Sequence, residues 1–231
     1  MPTTQQIEWA DGSRDKIYIS ASEFSGNQQV AVSSDPNTGA ARSKVVTFTA
    51  GNVSQTLTVQ QAAGREPLPA EDGRIWVYYN VNTTSSNTTI LYSGATGNLT
   101  TTMLVDGVSK TRATSYKFPT TGEHLVQFNL TSSATNIVSN QFRQIARARR
   151  LFVPDKITTL GQNCFYQGSW TYIVFRSTTP ASYSGNALYG TYPLYVPYSD
   201  DHSVLNAYKT AWSSYQSRIK ELNPDGTVPT T

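Results

Sequence analysis

The strongest constraint on the fold is an internal repeat in the C-terminal part of the chain, from about Thr135 to Leu222. Three short apolar runs, Leu151-Phe152-Val153-Pro154, Tyr172-Ile173-Val174-Phe175 and Leu194-Tyr195-Val196-Pro197, place their central valines 21 and 22 residues apart. Between them a second element steps by 23 residues each time: Asn140-Gln141-Phe142, Asn163-Cys164-Phe165-Tyr166 and Asn186-Ala187-Leu188-Tyr189. A period in the low twenties with one strand per period predicts a solenoid. One strand and one turn leave an apolar side that only a stacked neighbour covers. Behind Asp201 and Ser203, either of which is a candidate cap, Val204, Leu205, Tyr208, Trp212, Tyr215 and Ile219 recur at three- and four-residue intervals. This predicts a terminal helix that closes the array over its last repeat. Asn223-Pro224-Asp225-Gly226 then ends the helix and leaves a polar tail over 223–231.

The rest of the chain reads as β structure. Thr, Val, Tyr and Ile are abundant, and these are strand formers. Over 1–63, Ile17 and Ile19, Val30 and Val32, Val46 and Phe48, and Leu57 and Val59 each alternate with small or polar residues. Period-2 runs broken by Ser34-Asp35-Pro36-Asn37-Thr38-Gly39 and by Gly51-Asn52 predict antiparallel strands in a small Ig-like sandwich. Residues 64–73 are a linker on composition. From Arg74 five runs follow: Ile75–Tyr79, Thr89–Tyr92, Thr102–Val105, Thr114–Phe118 and His124–Leu130. With hairpin turns at Asp106-Gly107 and Thr121-Gly122, they predict a second small sandwich over 74–132, ahead of the repeats and their capping helix over 133–222.

Composition removes several function classes. Only 14% of residues are charged and the formal net charge is +3, so the chain lacks the basic stripe of a nucleic-acid binder. A single cysteine excludes an internal disulfide framework and a cysteine-based zinc cluster. No apolar run approaches the ~20 residues of a membrane helix. The N-terminus, Met1-Pro2-Thr3-Thr4-Gln5-Gln6, has no basic segment followed by an apolar one, so no signal peptide is expected.

Two resemblances sharpen this reading. Asn37-Thr38-Gly39-Ala40-Ala41-Arg42-Ser43, Val45 to Gly51 and Thr56-Leu57-Thr58-Val59-Gln60-Gln61 resemble the second half of the BACON domain, an Ig-like module common in Bacteroidetes proteins and in the phages that infect them. The resemblance covers about Val30 to Ala63; the front half is shorter than the family's and holds one tryptophan, Trp9. The family's proposed carbohydrate binding has no fixed residue signature to place on this chain. From about Arg74 to Leu222, Val105-Asp106-Gly107-Val108, Thr120 to His124 and the repeats after them resemble proteins with BspA-like leucine-rich repeats. Leu151 to Phe165 is similar to that family's strand, turn and alanine-phenylalanine step, which puts Cys164 where the family has a small buried residue.

Residue types that carry chemistry are sparse. His124 lies in a predicted strand and His202 at a helix start, neither in a nucleophile-elbow or metal-binding pattern. Cys164 aligns with Ala187 and reads as buried packing. Asp200 and Asp201 precede a helix, where acids complement its dipole, whereas glycoside cleavage needs two carboxyls opposed across a cleft. Two candidate contact surfaces remain. Arg143, Arg147, Arg149 and Arg150 form the one basic cluster, suited to phosphate, anionic glycan or an acidic partner, against the alternative of a solvated turn or subunit contact. Tyr189, Tyr192, Tyr195 and Tyr198 recur every three residues and supply rigid amphipathic area for sugar or protein, against the alternative of packing. No catalytic residue, metal or cofactor is expected.

The expectation is a non-enzymatic structural or adhesive protein. The resemblances imply a virion component of a Bacteroides-infecting phage, a tail or head fibre or decoration protein. Its partners are other virion proteins or further copies of itself, and host surface glycan. A phage protein assembled in the host cytoplasm needs no leader, which favours it over a secreted Bacteroidetes adhesin at the cell surface. A glycan-active enzyme ranks third.

Overall fold

The computed structural model describes residues 5–8, 16–19, 31–34, 42–50, 53–61 and 68–229. They fall into two compact units, one up to Pro67 and one spanning Leu68–Val228. In the first unit, β1 (Gln5–Glu8), β2 (Lys16–Ile19) and β3 (Val32–Ser34) form an antiparallel sheet, and β4 (Arg42–Ala50) and β5 (Val53–Gln61) form a long antiparallel pair. The period-2 alternation works as expected: Ile17 and Ile19 on β2 and Val46 on β4 are buried together, with Ile7, Phe48 and Val59 packed against them. Two sheets thus share one core, consistent with an Ig-like start. Leu57 departs, standing opposite Val46 yet 38% exposed. Trp9, Val30, the loop at 35–39, the Gly51-Asn52 turn and linker residues 64–67 lie outside the described residues.

The linker expected to run to residue 73 ends earlier, because Leu68 onward is bound into the second unit. Trp76 Nε1 donates to Asp72 Oδ1 at 2.8 Å, Arg176 pairs with Glu71 at 3.3 Å, and the Arg176 guanidinium donates to the Pro69 carbonyl. The strands then run β6 (Ile75–Val81), β7 (Thr88–Thr89), β8 (Leu99–Val105), β9 (Val108–Thr111), β10 (Ser115–Tyr116) and β11 (Gly122–Leu130). Asp106 and Gly107, with φ of 49° and 79°, make the tight β8–β9 turn that the sequence predicts. The Thr121-Gly122 hairpin does not form, since β10 pairs with β7 and β11 pairs with β6 and β8. Ile90 and Leu91, expected on a strand, are fully buried just past the two-residue β7.

In the repeats, β13 (Ala148–Val153), β15 (Tyr172–Phe175) and β17 (Leu194–Val196) lie parallel and adjacent, following β12 (Asn136–Ile137), β14 (Thr159–Leu160) and β16 (Ser182–Tyr183) in alternation. The latter three form a second parallel ladder. Each coil thus gives one strand to each ladder, and Leu151, Ile173 and Leu194 join Ile137 and Leu160 in one core. The turn between ladders stacks through its backbone: Phe142 N–H donates to Cys164 O at 2.8 Å, and Phe165 N–H to Ala187 O at 3.2 Å. Gly161 shows how close the coils run, because a Cβ there would fall 2.4 Å from the Ser139 nitrogen.

The boundary expected at residue 132 separates no cores. One eight-stranded sheet runs β18-β17-β15-β13-β6-β11-β8-β9, where β18 is Ile219–Glu221, and one core of buried residues extends from Ile75 to Ile219. The reason is physical: the first coil has no preceding coil to cover β13, and β6 pairs antiparallel along that edge. Where later coils carry Cys164 and Ala187, the first carries Gln141, fully buried. Its side chain exchanges two hydrogen bonds with Asn98, at 2.9 and 3.2 Å, and its Oε1 accepts from Val138 N–H at 3.0 Å. Cys164 packs with its thiol 3.8 Å from Ala187 O, and burial pushes that thiol well above its ordinary range.

The far end is closed by α1 (Ser203–Ala211), shorter than the periodicity predicts. A 3₁₀ segment over Ser213–Arg218 follows, and Ile219 belongs to β18, which adds to β17 in parallel. His202, in the left-handed region at φ 55°, is the residue before the helix; Asp201 Oδ1 accepts from Ser203 N–H at 3.0 Å, and Ser199 Oγ accepts from Val204 N–H at 3.1 Å. Tyr208 and Trp212 plunge into the core, where Trp212 Nε1 donates to Ala181 O at 2.8 Å. The polar tail begins folded: Asn223 Nδ2 donates to Thr227 Oγ1 at 2.8 Å, and Val228 packs with Leu68 against Phe152, Val174, Tyr195 and Leu222 on the outer face of the sheet.

The amide pair yields a test. Gln141→Ala leaves the Asn98 Oδ1 without its donor and the Val138 N–H without its acceptor, while Asn98 Nδ2 keeps its bond to Asn136 O, a loss of about 1–3 kcal/mol. Denaturant unfolding of the second unit, followed by tryptophan fluorescence, will show that loss, and adding Asn98→Ala to it will cost less than the two single losses combined.

Candidate functional site

The 23-residue register builds a side-chain column on the turn between the ladders. Phe142, Phe165 and Leu188 point into the core, and the residues after them, Arg143, Tyr166 and Tyr189, point out. Arg143 places its guanidinium 5.7 Å from the centre of the Tyr92 ring and 5.8 Å from that of Tyr166. Tyr166 in turn packs on Tyr189 at 5.0 Å with the planes 34° apart. The result is a continuous column, Tyr92–Arg143–Tyr166–Tyr189, held by cation–π and ring–ring attraction. Tyr189 is its most exposed member at 52%. Beside it runs an amide row, with Gln144 Nε2 donating to Gln167 Oε1 at 3.0 Å; both glutamines adopt left-handed backbone, φ 56° and 53°.

The tyrosines expected to form one surface do not. A three-residue step has no face in a coil that turns from strand to loop, and the four side chains diverge. Tyr189 lies on the column. Tyr192 is buried beneath it, its hydroxyl donating to Tyr189 O at 3.3 Å and its ring 5.1 Å from the Arg218 guanidinium. Tyr195 is buried on the opposite, outer face of the sheet against Tyr172. Tyr198 is half-buried, packs edge-on to His202 and bonds to Asp200, which raises its hydroxyl above the ordinary range.

The arginine cluster is likewise dispersed. Arg143 joins the column. Arg147 is half-buried, and its carbonyl accepts from Asn80 N–H at 2.8 Å where β13 meets β6. Arg149 Nη1 donates to the carbonyls of Ala146, Ala148 and Ser169, tying its own coil to the next. Arg150 turns to the outer face, where it pairs with Glu123 at 2.5 Å and lies 4.0 Å over the Tyr78 ring. Sequence reasoning overlooked Tyr92 and the outward role of Tyr166. Tyr166 was within reach, since it shares a register position with Arg143 and Tyr189; Tyr92 precedes the repeats and had no periodic signal.

The remaining reactive types have structural partners. His124 bonds through Nδ1 to Asp106 Oδ2 at 2.7 Å and through Nε2 to Thr120 O at 2.9 Å, with its ring on Phe118. Its Nε2 also meets the Thr120 hydroxyl at 3.3 Å, so both ring nitrogens are held by partners from the neighbouring turns. His202 Nδ1 meets Glu221 Oε2 at 2.6 Å, linking the helix start to the last strand. Among the described residues no group of three or more His, Cys, Asp or Glu is placed to hold a metal ion, and no helix is long and apolar enough to cross a membrane. A polar depression of about 210 Å³ lies beside the amide pair, lined by Gly97, Asn98, Thr131, Ser133 and Asn136 among others. Five asparagines begin Asn-x-Thr/Ser triplets, the pattern of an N-glycosylation acceptor: Asn82 and Asn87 are exposed, Asn129 bonds to Arg74, Asn98 is buried in its pair, and Asn52 lies outside the described residues.

Comparison with known families matches residues 9–62 to the BACON family, described as a putative binding domain, N-terminal. The match reaches into the shorter front half of the module, beyond the residues from Val30 that carry the resemblance in the sequence. Neither the curated proteins nor the solved structures contain a match to the chain. The first unit is therefore similar to a binding module, and a binding or adhesion role follows from it; such a module is compatible with a protein that catalyses nothing.

Desolvation holds the hydroxyls of Tyr192 and Tyr208 well above the ordinary tyrosine range. Their contribution to stability is complete below about pH 10, the unfolded value, and falls as pH rises toward the folded one. Thermal melts across that range should show the midpoint dropping above about pH 10, less steeply in Tyr192→Phe/Tyr208→Phe.

Proposed function

We propose that this chain is a non-enzymatic attachment protein of a Bacteroides-infecting phage, a tail or head fibre or decoration component. It joins the virion through protein contacts and holds host surface glycan. The observation that carries the binding role is the match of residues 9–62 to a putative binding domain. The exposed column on the second unit supports it, because rigid aromatic area flanked by amides is the surface chemistry that sugars and protein partners use. We read the coils over 133–222 as a short array of the BspA-like leucine-rich kind, on their period in the low twenties and parallel stacking. The phage setting draws on the joint resemblance to that family and to BACON modules.

The two acids nearest a carbohydrate-cleaving pair have other partners: Asp200 bonds to Tyr198, and Asp201 accepts from Ser203. That favours adhesion over cleavage.

Mass spectrometry of purified virions from a Bacteroides phage culture tests the placement. The chain is expected among the virion proteins; its absence there, with its presence on the bacterial surface, reverses the assignment to a bacterial adhesin. A glycan array probed with the whole chain tests attachment, and a blank array leaves the assembly role alone.

A further inference from the structure

We propose that the outward face of Tyr189 is a stacking subsite for one neutral pyranose ring, which extends the column Tyr92–Arg143–Tyr166–Tyr189 by one more layer. This deepens the glycan-binding reading above and rests on it.

The column is open at one end for a structural reason. Tyr166 lies between Arg143 and Tyr189, so both of its faces are occupied. The next position in the 23-residue register is 212, and Trp212 does not continue the column: it belongs to the end of the capping helix and sinks into the core, bonded to Ala181 O. Among the described residues Tyr189 has ring contact with Tyr166 alone, and it stays 52% exposed. Closing the coil stack with a helix therefore leaves the last rung with one face uncovered.

That face is held still. Tyr166 fixes the ring from one side, Tyr189 N–H donates to Asn186 O at 3.1 Å, and Tyr189 O accepts from the Tyr192 hydroxyl. A ring already immobilised loses little conformational freedom on binding, which is where much of the cost of binding arises. The chemistry alongside selects the ligand. Within three positions of Tyr166 and Tyr189 the other exposed residues are Gln167, Ser169, Asn186 and Thr191, so the chain around the ring offers amides and hydroxyls and no second exposed apolar side chain. An acyl chain or an apolar helix needs a contiguous apolar patch instead. The arginines of this turn are also engaged: the Arg218 guanidinium donates to Leu188 O and Tyr192 O and lies about 5 Å from the Tyr192 and Tyr215 rings, and Arg143 lies between two rings. Neither of these two guanidiniums is left to favour a uronic acid or a phosphate at the face. A pyranose presents one apolar C–H face and a rim of hydroxyls, and it satisfies both requirements.

The test uses the full chain with soluble hexasaccharides of glucose, xylose and mannose, a galacturonic acid hexamer, and a phenylalanine-containing hexapeptide. Binding is read by calorimetry and by saturation-transfer NMR. At least one neutral hexasaccharide is expected to bind, with strongest transfer from protons of one sugar face. Tyr189→Ala should weaken it about tenfold, the scale of one aromatic contact, while Tyr189→Phe stays within about twofold. Val108→Ala, at an exposed apolar position on β9 outside the column, should leave affinity unchanged. If wild-type protein binds a hexasaccharide and Tyr189→Ala binds it equally well, the subsite is wrong and the glycan reading stands. If no sugar binds, both fall, and binding of the peptide instead assigns the face to a protein partner. Preference for the galacturonic acid hexamer overturns the neutral assignment.

Discussion

A stack of coils that each give one strand to each of two ladders has two raw ends, and closing them is the constraint on which the second unit depends. Within the stack, each coil covers its neighbour's apolar side and satisfies its neighbour's turn carbonyls, as Phe142 and Phe165 do through Cys164 and Ala187. At an end, the same groups face nothing. The N-terminal end is closed twice over: β6 supplies a partner strand to β13, and the Asn98–Gln141 pair replaces the small residue that a preceding coil would pack against. A buried amide pair is stable only when both members are satisfied, so it fixes the loop at Asn98 against the first coil in one geometry. The C-terminal end is closed by Tyr208 and Trp212 over the core and by β18 along the sheet edge.

Closure explains why the segment read as a separate sandwich is part of the same fold. Residues 74–132 show strand patterning with their own turns, and pattern alone makes them look self-sufficient. What the pattern lacks is the partner of each strand. β6 reads as an ordinary alternating strand whether it sits at an edge or, as here, between β11 and β13. Pairing across 70 or more residues leaves no local mark. The coils were legible because their pairing is local and repeated: a fixed period carries its own register, and the buried column Gln141–Cys164–Ala187 follows from it directly.

The candidate surface was legible in the same proportion. The three-residue recurrence brought in Tyr189 but grouped Tyr192, Tyr195 and Tyr198 with it, using sequence proximity where the coil geometry counts, and left unused the 23-residue register that ties Tyr166 to Tyr189. Three residues along this chain carry the backbone from a turn to a strand, and side chains there face different layers. Twenty-three residues return to the same place. Arg143 shows the point from the other side: linear spacing placed it with Arg147, Arg149 and Arg150, whereas the fold places it with two tyrosines, 51 residues before it in one case and 23 after it in the other.

The helical cap and the exposed column are linked by one substitution of architecture. A fourth coil would have carried a side chain at register position 212 onto Tyr189, as Tyr189 lies on Tyr166. The chain instead forms α1, and the aromatic ring at that position turns inward to seal the core. The same Trp212 therefore ends the array and leaves the column unfinished. Burying that ring stabilises the closed end, and the exposed Tyr189 face is the direct geometric consequence. An open stacking face at the end of such an array does not need added residues; it arises where a stacking series stops and the helix that stops it takes the next ring elsewhere.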